Sequence, residues 1–253
     1  MFDIVRIPAF KDNYIWLLRK GSAAVVVDPG DAAPVLSFLQ REGLTLTSIL
    51  ITHHHRDHQG GVSELLAHYS AEVFGPAAES ITGLSQPLRG GETICLTSLG
   101  VEMQVFAVPG HTLGHLAYYG SGVLFCGDTL FGAGCGRLFE GSPAQMQASL
   151  AKLASLPDDT RVYCAHEYTE ANLRFALAVE SGNRALRDRV DDVAVARAKG
   201  DATVPFTIAG EKATNPFLRC REPSVIACAK ERGAASDDAL AVFTTLRAWK
   251  NDF

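Results

Sequence analysis

The chain has 253 residues, 47% of them hydrophobic, and a formal net charge of −5. That length allows one or two domains with a sizeable core, and the acidic balance without a basic run argues against nucleic acid as an obligate partner. No apolar run approaches the ~18 residues that a membrane span needs, so no membrane partner is expected.

Strands are predicted at 2–7, 14–18 and 23–27 from short apolar runs rich in β-branched residues. Asp28-Pro29-Gly30-Asp31 reads as a turn, followed by a helix over 34–41. A buried strand at 48–51 leads into a second helix over 60–69. Further apolar runs at 105–110, 123–127 and 162–165 read as buried strands. Ser142 before Pro143 is an N-cap signature that opens a helix to about 155. From 169 onward helices dominate, at 169–180, 184–199 and 237–250. The stretch 203–217 carries Pro205, Gly210 and Pro216 and reads as a long loop. The change of pattern places a domain boundary near Tyr168.

Each of four strand-like runs ends in metal-ligand side chains. Ser48-Ile49-Leu50-Ile51 leads into Thr52-His53-His54-His55-Arg56-Asp57-His58, an H-x-H-x-D-H pattern. The other runs lead into His111, Asp128 and His166. Four candidate ligand side chains within six residues would be costly to desolvate without purpose. Positions 53 and 55 of an extended chain point to one side, whereas 57 and 58 point apart. Imidazole with carboxylate and no thiolate suits zinc, iron or manganese. Seven ligands exceed the three protein ligands of one catalytic zinc and suit two ions sharing a carboxylate.

These residues resemble the metallo-β-lactamase superfamily. The run 52–61, Pro109-Gly110-His111-Thr112-Leu113-Gly114-His115, the glycine-rich 134–141 and the C-terminal Arg247-x-x-Lys250 resemble the type II glyoxalases in particular, the hydroxyacylglutathione hydrolases. The resemblance runs from Asp12-Asn13-Tyr14 to the last residue. It implies an α/β fold, an αββα sandwich over 1–167, and a helical substrate-binding domain over 168–253. It also implies hydrolysis of S-D-lactoylglutathione to D-lactate and glutathione, in methylglyoxal detoxification, with two divalent metals, zinc foremost; a monomer is expected. It assigns His53, His55 and His111 to one metal and Asp57, His58 and His166 to the other, with Asp128 bridging. The catalytic group is then a metal-bridging hydroxide held by Asp57 and Asp128. Arg137, Phe139, Tyr168, Arg247 and Lys250 are implied to contact glutathione, the last two through its glycine carboxylate. Mammalian members carry tyrosine where this chain has Phe139, so that hydroxyl contact is missing here. A persulfide dioxygenase with one iron and a non-catalytic metal-binding module are the alternatives. The full second ligand set and the Arg247/Lys250 pair favour the hydrolase.

Other readings are blander. His54 and His115 are expected to hydrogen-bond near the ligands, and His68 to be a surface residue. Gly132-Ala133-Gly134-Cys135-Gly136 lacks the ending of a P-loop and is expected to be a tight turn. Without the resemblance, Arg247 and Lys250 read as charges complementing a helix C-terminus. The six cysteines form no C-x-x-C pair. Cys126 and Cys164 lie inside strand-like runs, as core thiols of a reducing compartment. No secretory pattern opens the chain, so the cytoplasm is expected.

Overall fold

The computed structural model describes residues 2–253. They fall into two compact units. The first runs to Ala107 and includes Gly114–Gly127, and the second takes Val108–Leu113 and Asp128–Phe253.

The first unit is built on a six-stranded sheet in sequence order: β1 (Asp3–Ala9), β2 (Asn13–Lys20), β3 (Ala23–Val27), β4 (Thr45–Leu50), β5 (Glu72–Pro76) and β6 (Gln86–Leu88). The first three strands pair antiparallel, and β3 through β6 pair parallel. A parallel pair needs a crossover, and α1 (Ala32–Glu42), α2 (Arg56–Gln59) and α3 (Val62–His68) lie in those crossovers. Asp31 caps α1 by accepting from Ala33 N, and Gly43 closes it at φ 64°, which starts the helix two residues before the expected Pro34.

The helix expected over 60–69 is α3, and a further short helix, α2, precedes it, starting within the 53–58 motif. A Cβ on Gly61 would lie 2.5 Å from Ala32 N and 2.7 Å from the Pro29 carbonyl. The chain must therefore pass that point, between α2 and α3, as bare backbone.

Strands in this sheet are buried on both faces. Val35, Leu39, Val62 and Leu65 of the helices pack with Ile15, Leu17, Ala24, Val26, Ile49 and Ile51. The alternate residues Trp16, Leu18, Val25, Val27 and Leu50 are buried too, as period-two strands covered on both sides require. An antiparallel meander forms the unit's other layer: β7 (Thr93–Leu96), β8 (Val101–Ala107), β9 (Leu116–Gly120) and β10 (Val123–Gly127). Ser121 and Gly122 turn between the last two at φ 51° and 73°, the positive angles a tight hairpin demands. Tyr118 Oη donates to the Ile51 carbonyl at 2.7 Å, tying the meander to the first sheet.

The second unit opens with a two-stranded hairpin, β11 (Leu130–Phe131) and β12 (Gly134–Cys135). Then comes α4 (Pro143–Ala154), whose Ser142 and Gln145 form a reciprocal capping box. β13 (Arg161–Cys164) precedes α5 (Thr169–Val179) and α6 (Arg184–Ala198). The expected loop over 203–217 contains β14 (Phe206–Thr207), paired with β13, and α7 (Ile208–Thr214). Thr207 caps α7. Fully buried Glu211 on it meets Arg189 Nη2 at 2.6 Å. Burial pushes that carboxyl up from the usual range, against the pull of Arg189 and Asn215. A seven-residue helix containing glycine has little intrinsic stability, so these tertiary contacts decide it. α8 (Pro223–Glu231), which the sequence reading did not foresee, and α9 (Ala239–Asn251), capped by Asp238, complete the chain. Phe175 gathers Phe217, Trp249 and Phe253 at centroid distances of 4.7–5.9 Å.

Candidate metal centre

The parallel register sets Val27 beside Leu50, so the residues that follow β3 and β4 emerge together. Asp28, at φ 51°, accepts from Thr52 N and from Thr52 Oγ1, each at 2.8 Å. Its Oδ2 also lies 3.0 Å from His58 Nδ1. Two tautomers follow. The Asp28 carboxylate accepts the His58 Nδ1 proton, which leaves the lone pair on Nε2. Thr52 spends its one proton on Asp28, so its oxygen accepts from His53 Nδ1 at 3.0 Å, and His53 too keeps its lone pair on Nε2. That Nε2 lies 3.0 Å from His55 Nδ1, so residues 53 and 55 do share one side.

Asp57 and His58 were expected to point apart. They occupy the first turn of α2, and Asp57 Oδ2 comes 3.6 Å from His58 Nε2. The helical turn, absent from an extended reading, brings them together. Asn13 Nδ2 donates to Asp57 Oδ2 at 3.0 Å. Glu79 clamps the motif from outside. One oxygen accepts from His54 N at 2.7 Å and meets His54 Nδ1 at 3.0 Å, and the other accepts from Gly114 N at 2.9 Å. His54 is thus a hydrogen-bonding residue, as expected. Buried His115 stacks on His53 at 4.6 Å. His68 is exposed.

In the second unit, Asp128 stands between two imidazoles. His111 Nε2 lies 3.4 Å from Oδ2 and His166 Nε2 lies 3.3 Å from Oδ1. The His111 Nδ1 proton goes to the Arg137 carbonyl at 2.7 Å, so this ring also presents the lone pair of Nε2. Tyr168 stacks flat on His166 at 4.7 Å. Phe139 is 61% exposed and meets the His111 ring edge-on at 5.2 Å, with the Arg137 guanidinium 5.7 Å from its centroid. The glycine-rich stretch is a tight turn, as expected, with Ala133 at φ 54°. A Cβ on Gly136 would sit 2.0 Å from the Asp128 carbonyl oxygen. Cys126 and Cys164 are buried strand residues.

Arg247 is buried, and its Nη1 donates to the Cys135 carbonyl at 2.9 Å and the Gly136 carbonyl at 3.4 Å. Lys250, three residues on, places Nζ 5.1 Å from the Phe175 ring centroid and 5.6 Å from that of Phe253. Burial, then the charges of Arg247 and Arg174, lower its pKa from the usual lysine range.

Sequence reasoning missed Asp28, Asn13, Glu79 and Thr52 as supports of the ligands. Asp28 carried a signal, a carboxylate ending one strand beside another that ends in ligands, but it read as a turn residue. Glu79 carries no local signal. The donor set fits a metal: three histidines hold their second nitrogens on protein acceptors and present Nε2. Imidazole nitrogens with carboxylate oxygens are a donor set suited to divalent cations.

Comparison with known proteins agrees. The metallo-beta-lactamase superfamily matches residues 10–166, and the hydroxyacylglutathione hydrolase C-terminus matches residues 167–253. A hydroxyacylglutathione hydrolase of Dechloromonas aromatica is 61% identical over all of both chains. Among solved structures, ETHE1 from Myxococcus xanthus is 27% identical with a TM-score of 0.64, covering 85% of this chain and 83% of that one. TTHA1623 in a di-iron-bound form is 27% identical with a TM-score of 0.60, covering 85% and 100%.

Proposed function

Since the chain belongs to the hydroxyacylglutathione hydrolases of the metallo-β-lactamase superfamily, we propose that it cleaves S-D-lactoylglutathione to D-lactate and glutathione as a two-metal thioester hydrolase. His53, His55 and His111 would hold one ion, Asp57, His58 and His166 the other, and Asp128 both. The observation that carries the two-metal reading is Asp128, which turns opposite oxygens toward His111 and His166. The di-iron form of TTHA1623 supports the same count. Zinc is the proposed resident, with iron and manganese acceptable to the same donors.

When bound, such ions lower the pKa of water and polarise a carbonyl. The chain's own residues set the rest. Asp28, directly at His58 and through Thr52 at His53, and the Arg137 carbonyl at His111 fix the tautomers of three rings. Asp57, steadied by Asn13, and Asp128 are the carboxylates assigned to hold the attacking water. As one O–H bond of that water breaks, its oxygen bonds to the thioester carbon, the carbon–sulfur bond breaks with its electron pair leaving on sulfur, and the released proton passes to the thiolate or to solvent. A thiol with a pKa near ~8.5 leaves as thiolate without a strong acid. Arg137, Phe139, Tyr168, Arg247 and Lys250 are assigned to the peptide, with the Phe139 ring offering apolar contact where a hydroxyl is lacking.

We assign the metal-binding domain to 1–167 and the helical substrate-binding domain to 168–253, a division supported by where the two family matches meet. A monomer in the cytoplasm is the proposed form. The six free cysteines support a reducing compartment, and no helix among the described residues is long and apolar enough to cross a membrane.

The test is S-D-lactoylglutathione given to protein of measured metal content. One D-lactate and one thiol should appear per thioester consumed, and chelation should stop the reaction. Metal-replete protein that leaves the thioester intact, or that takes up oxygen with a persulfide instead, would overturn the reading.

A further inference from the structure

We infer that Arg247 has a second role, as a positioning residue of the metal centre that acts through the glycine-rich turn on His111. The inference rests on the metal reading above.

The argument is a chain of contacts within the second unit. Arg247 is 6% exposed. Its guanidinium is engaged with the protein: Nη1 on the carbonyls of Cys135 and Gly136, Nη2 on Asn251 Oδ1 at 3.2 Å, with the Phe217 ring 5.2 Å from Cζ. A cation buried this deeply would be costly without such acceptors, and hydrogen bonds from a charged donor are the strong kind. The residue after Gly136 is Arg137, and its carbonyl accepts the Nδ1 proton of His111. The position of that oxygen sets the ring's tautomer and tilt. Gly136 N donates to the Thr129 carbonyl at 3.2 Å, which binds the same turn to the residue following Asp128.

β11 and β12 pair over only two residues each, and side-chain hydrogen bonds from the helical region also hold the turn. Asn172 Nδ2 donates to the Gly132 carbonyl at 3.1 Å, Asn215 Nδ2 donates to the Gly134 carbonyl at 2.9 Å, and Glu211 accepts from Ala133 N at 2.9 Å. Those three hold the tip. Arg247 alone among these side chains holds Cys135 and Gly136, the end that continues to the Arg137 carbonyl. Removing it should let that carbonyl drift and loosen the His111 ring.

A residue that only binds the substrate carboxylate would leave the ion untouched. The experiment therefore reads metal first. Wild type, Arg247→Ala and Arg247→Lys are stripped and titrated with zinc and, separately, with cobalt(II) as a spectroscopic probe. Folding is checked by circular dichroism. Each variant then hydrolyses S-D-lactoylglutathione and a short thioester lacking the peptide. Groups that orient ligands typically govern metal affinity by 10- to 100-fold. Arg247→Ala should raise the metal dissociation constant about tenfold, change the cobalt spectrum, and lower kcat on both thioesters alike. Arg247→Lys, which keeps a cation and one donor in place, should recover part of each loss and serves if the alanine variant does not fold.

Folded variants with wild-type metal affinity and an unchanged cobalt spectrum would overturn the inference, even if KM for the glutathione thioester rose. Wild-type protein that binds neither metal would instead overturn the metal reading, and this inference with it.

Discussion

Asp28 Oδ2 lies 3.0 Å from Nδ1 of His58, and both residues are buried. The same carboxylate takes the amide and hydroxyl of Thr52, which in turn orients His53. One acid at the end of β3 therefore sets two ligand tautomers. Asp28→Asn keeps a residue tolerated at positive φ, so the backbone cost is small. The amide nitrogen cannot accept what the lost oxygen accepted. Metal affinity should fall about 10- to 100-fold with circular dichroism unchanged. Metal titration giving the wild-type constant would show that these rings hold themselves.

Asp128→Ala should be more damaging than Asp57→Ala. Asp128 turns its two oxygens toward two imidazoles and is assigned to both ions, whereas Asp57 is assigned to one. Metal content and turnover measured together should show loss of more than one ion per chain in Asp128→Ala. Two retained ions with normal turnover would remove the bridging assignment.

Lys250→Ala should act on substrate binding. Its half-buried ammonium lies three residues beyond Arg247, on the same helix face. Loss of one charge-assisted contact is worth about 1.5–3 kcal/mol, roughly ten- to hundredfold in kcat/KM. The change should appear in KM for the glutathione thioester, with metal affinity as in wild type. Unchanged kcat/KM would reduce Lys250 to a helix-end charge.

A last prediction concerns stability in the helical region. Glu180 accepts from Arg219 Nε at 2.8 Å and Nη2 at 2.9 Å, from Ser224 Oγ at 2.6 Å and from Asn183 Nδ2 at 2.9 Å. Burial pushes its pKa up, but the hydrogen bonds and the Arg219 charge win and bring it to about 2, below the usual 4.5. A carboxylate depressed on folding stabilises above its unfolded pKa, and that contribution is lost as pH falls from about 4.5 to about 2. Glu180→Gln should lower the melting temperature at pH 7, by a free energy of at most about 3 kcal/mol, and the gap to wild type should close near pH 2–3. A gap that persists at that pH would point to packing rather than charge.

The sequence by itself determined the candidate ligand types and the strands that deliver them. His53, His55, Asp57, His58, His111, Asp128 and His166 each follow an apolar run, and such local patterns survive without knowledge of neighbours. The cap of α4 was legible for the same reason, since Ser142 acts within three residues of itself. Only the tertiary structure decided the partners. Asp28 reads as a turn residue until the β3–β4 register places it against Thr52 and His58. Arg247 reads as a helix-end charge until the fold buries it on the carbonyls of Cys135 and Gly136, more than a hundred residues away. Glu211 sits in a stretch that reads as loop, because α7 depends on Arg189 and Asn215 rather than on propensity. Periodicity and capping are short-range and are written in neighbouring residues. Hydrogen bonds to a buried charge are set by which strands and helices meet, and no local pattern records that.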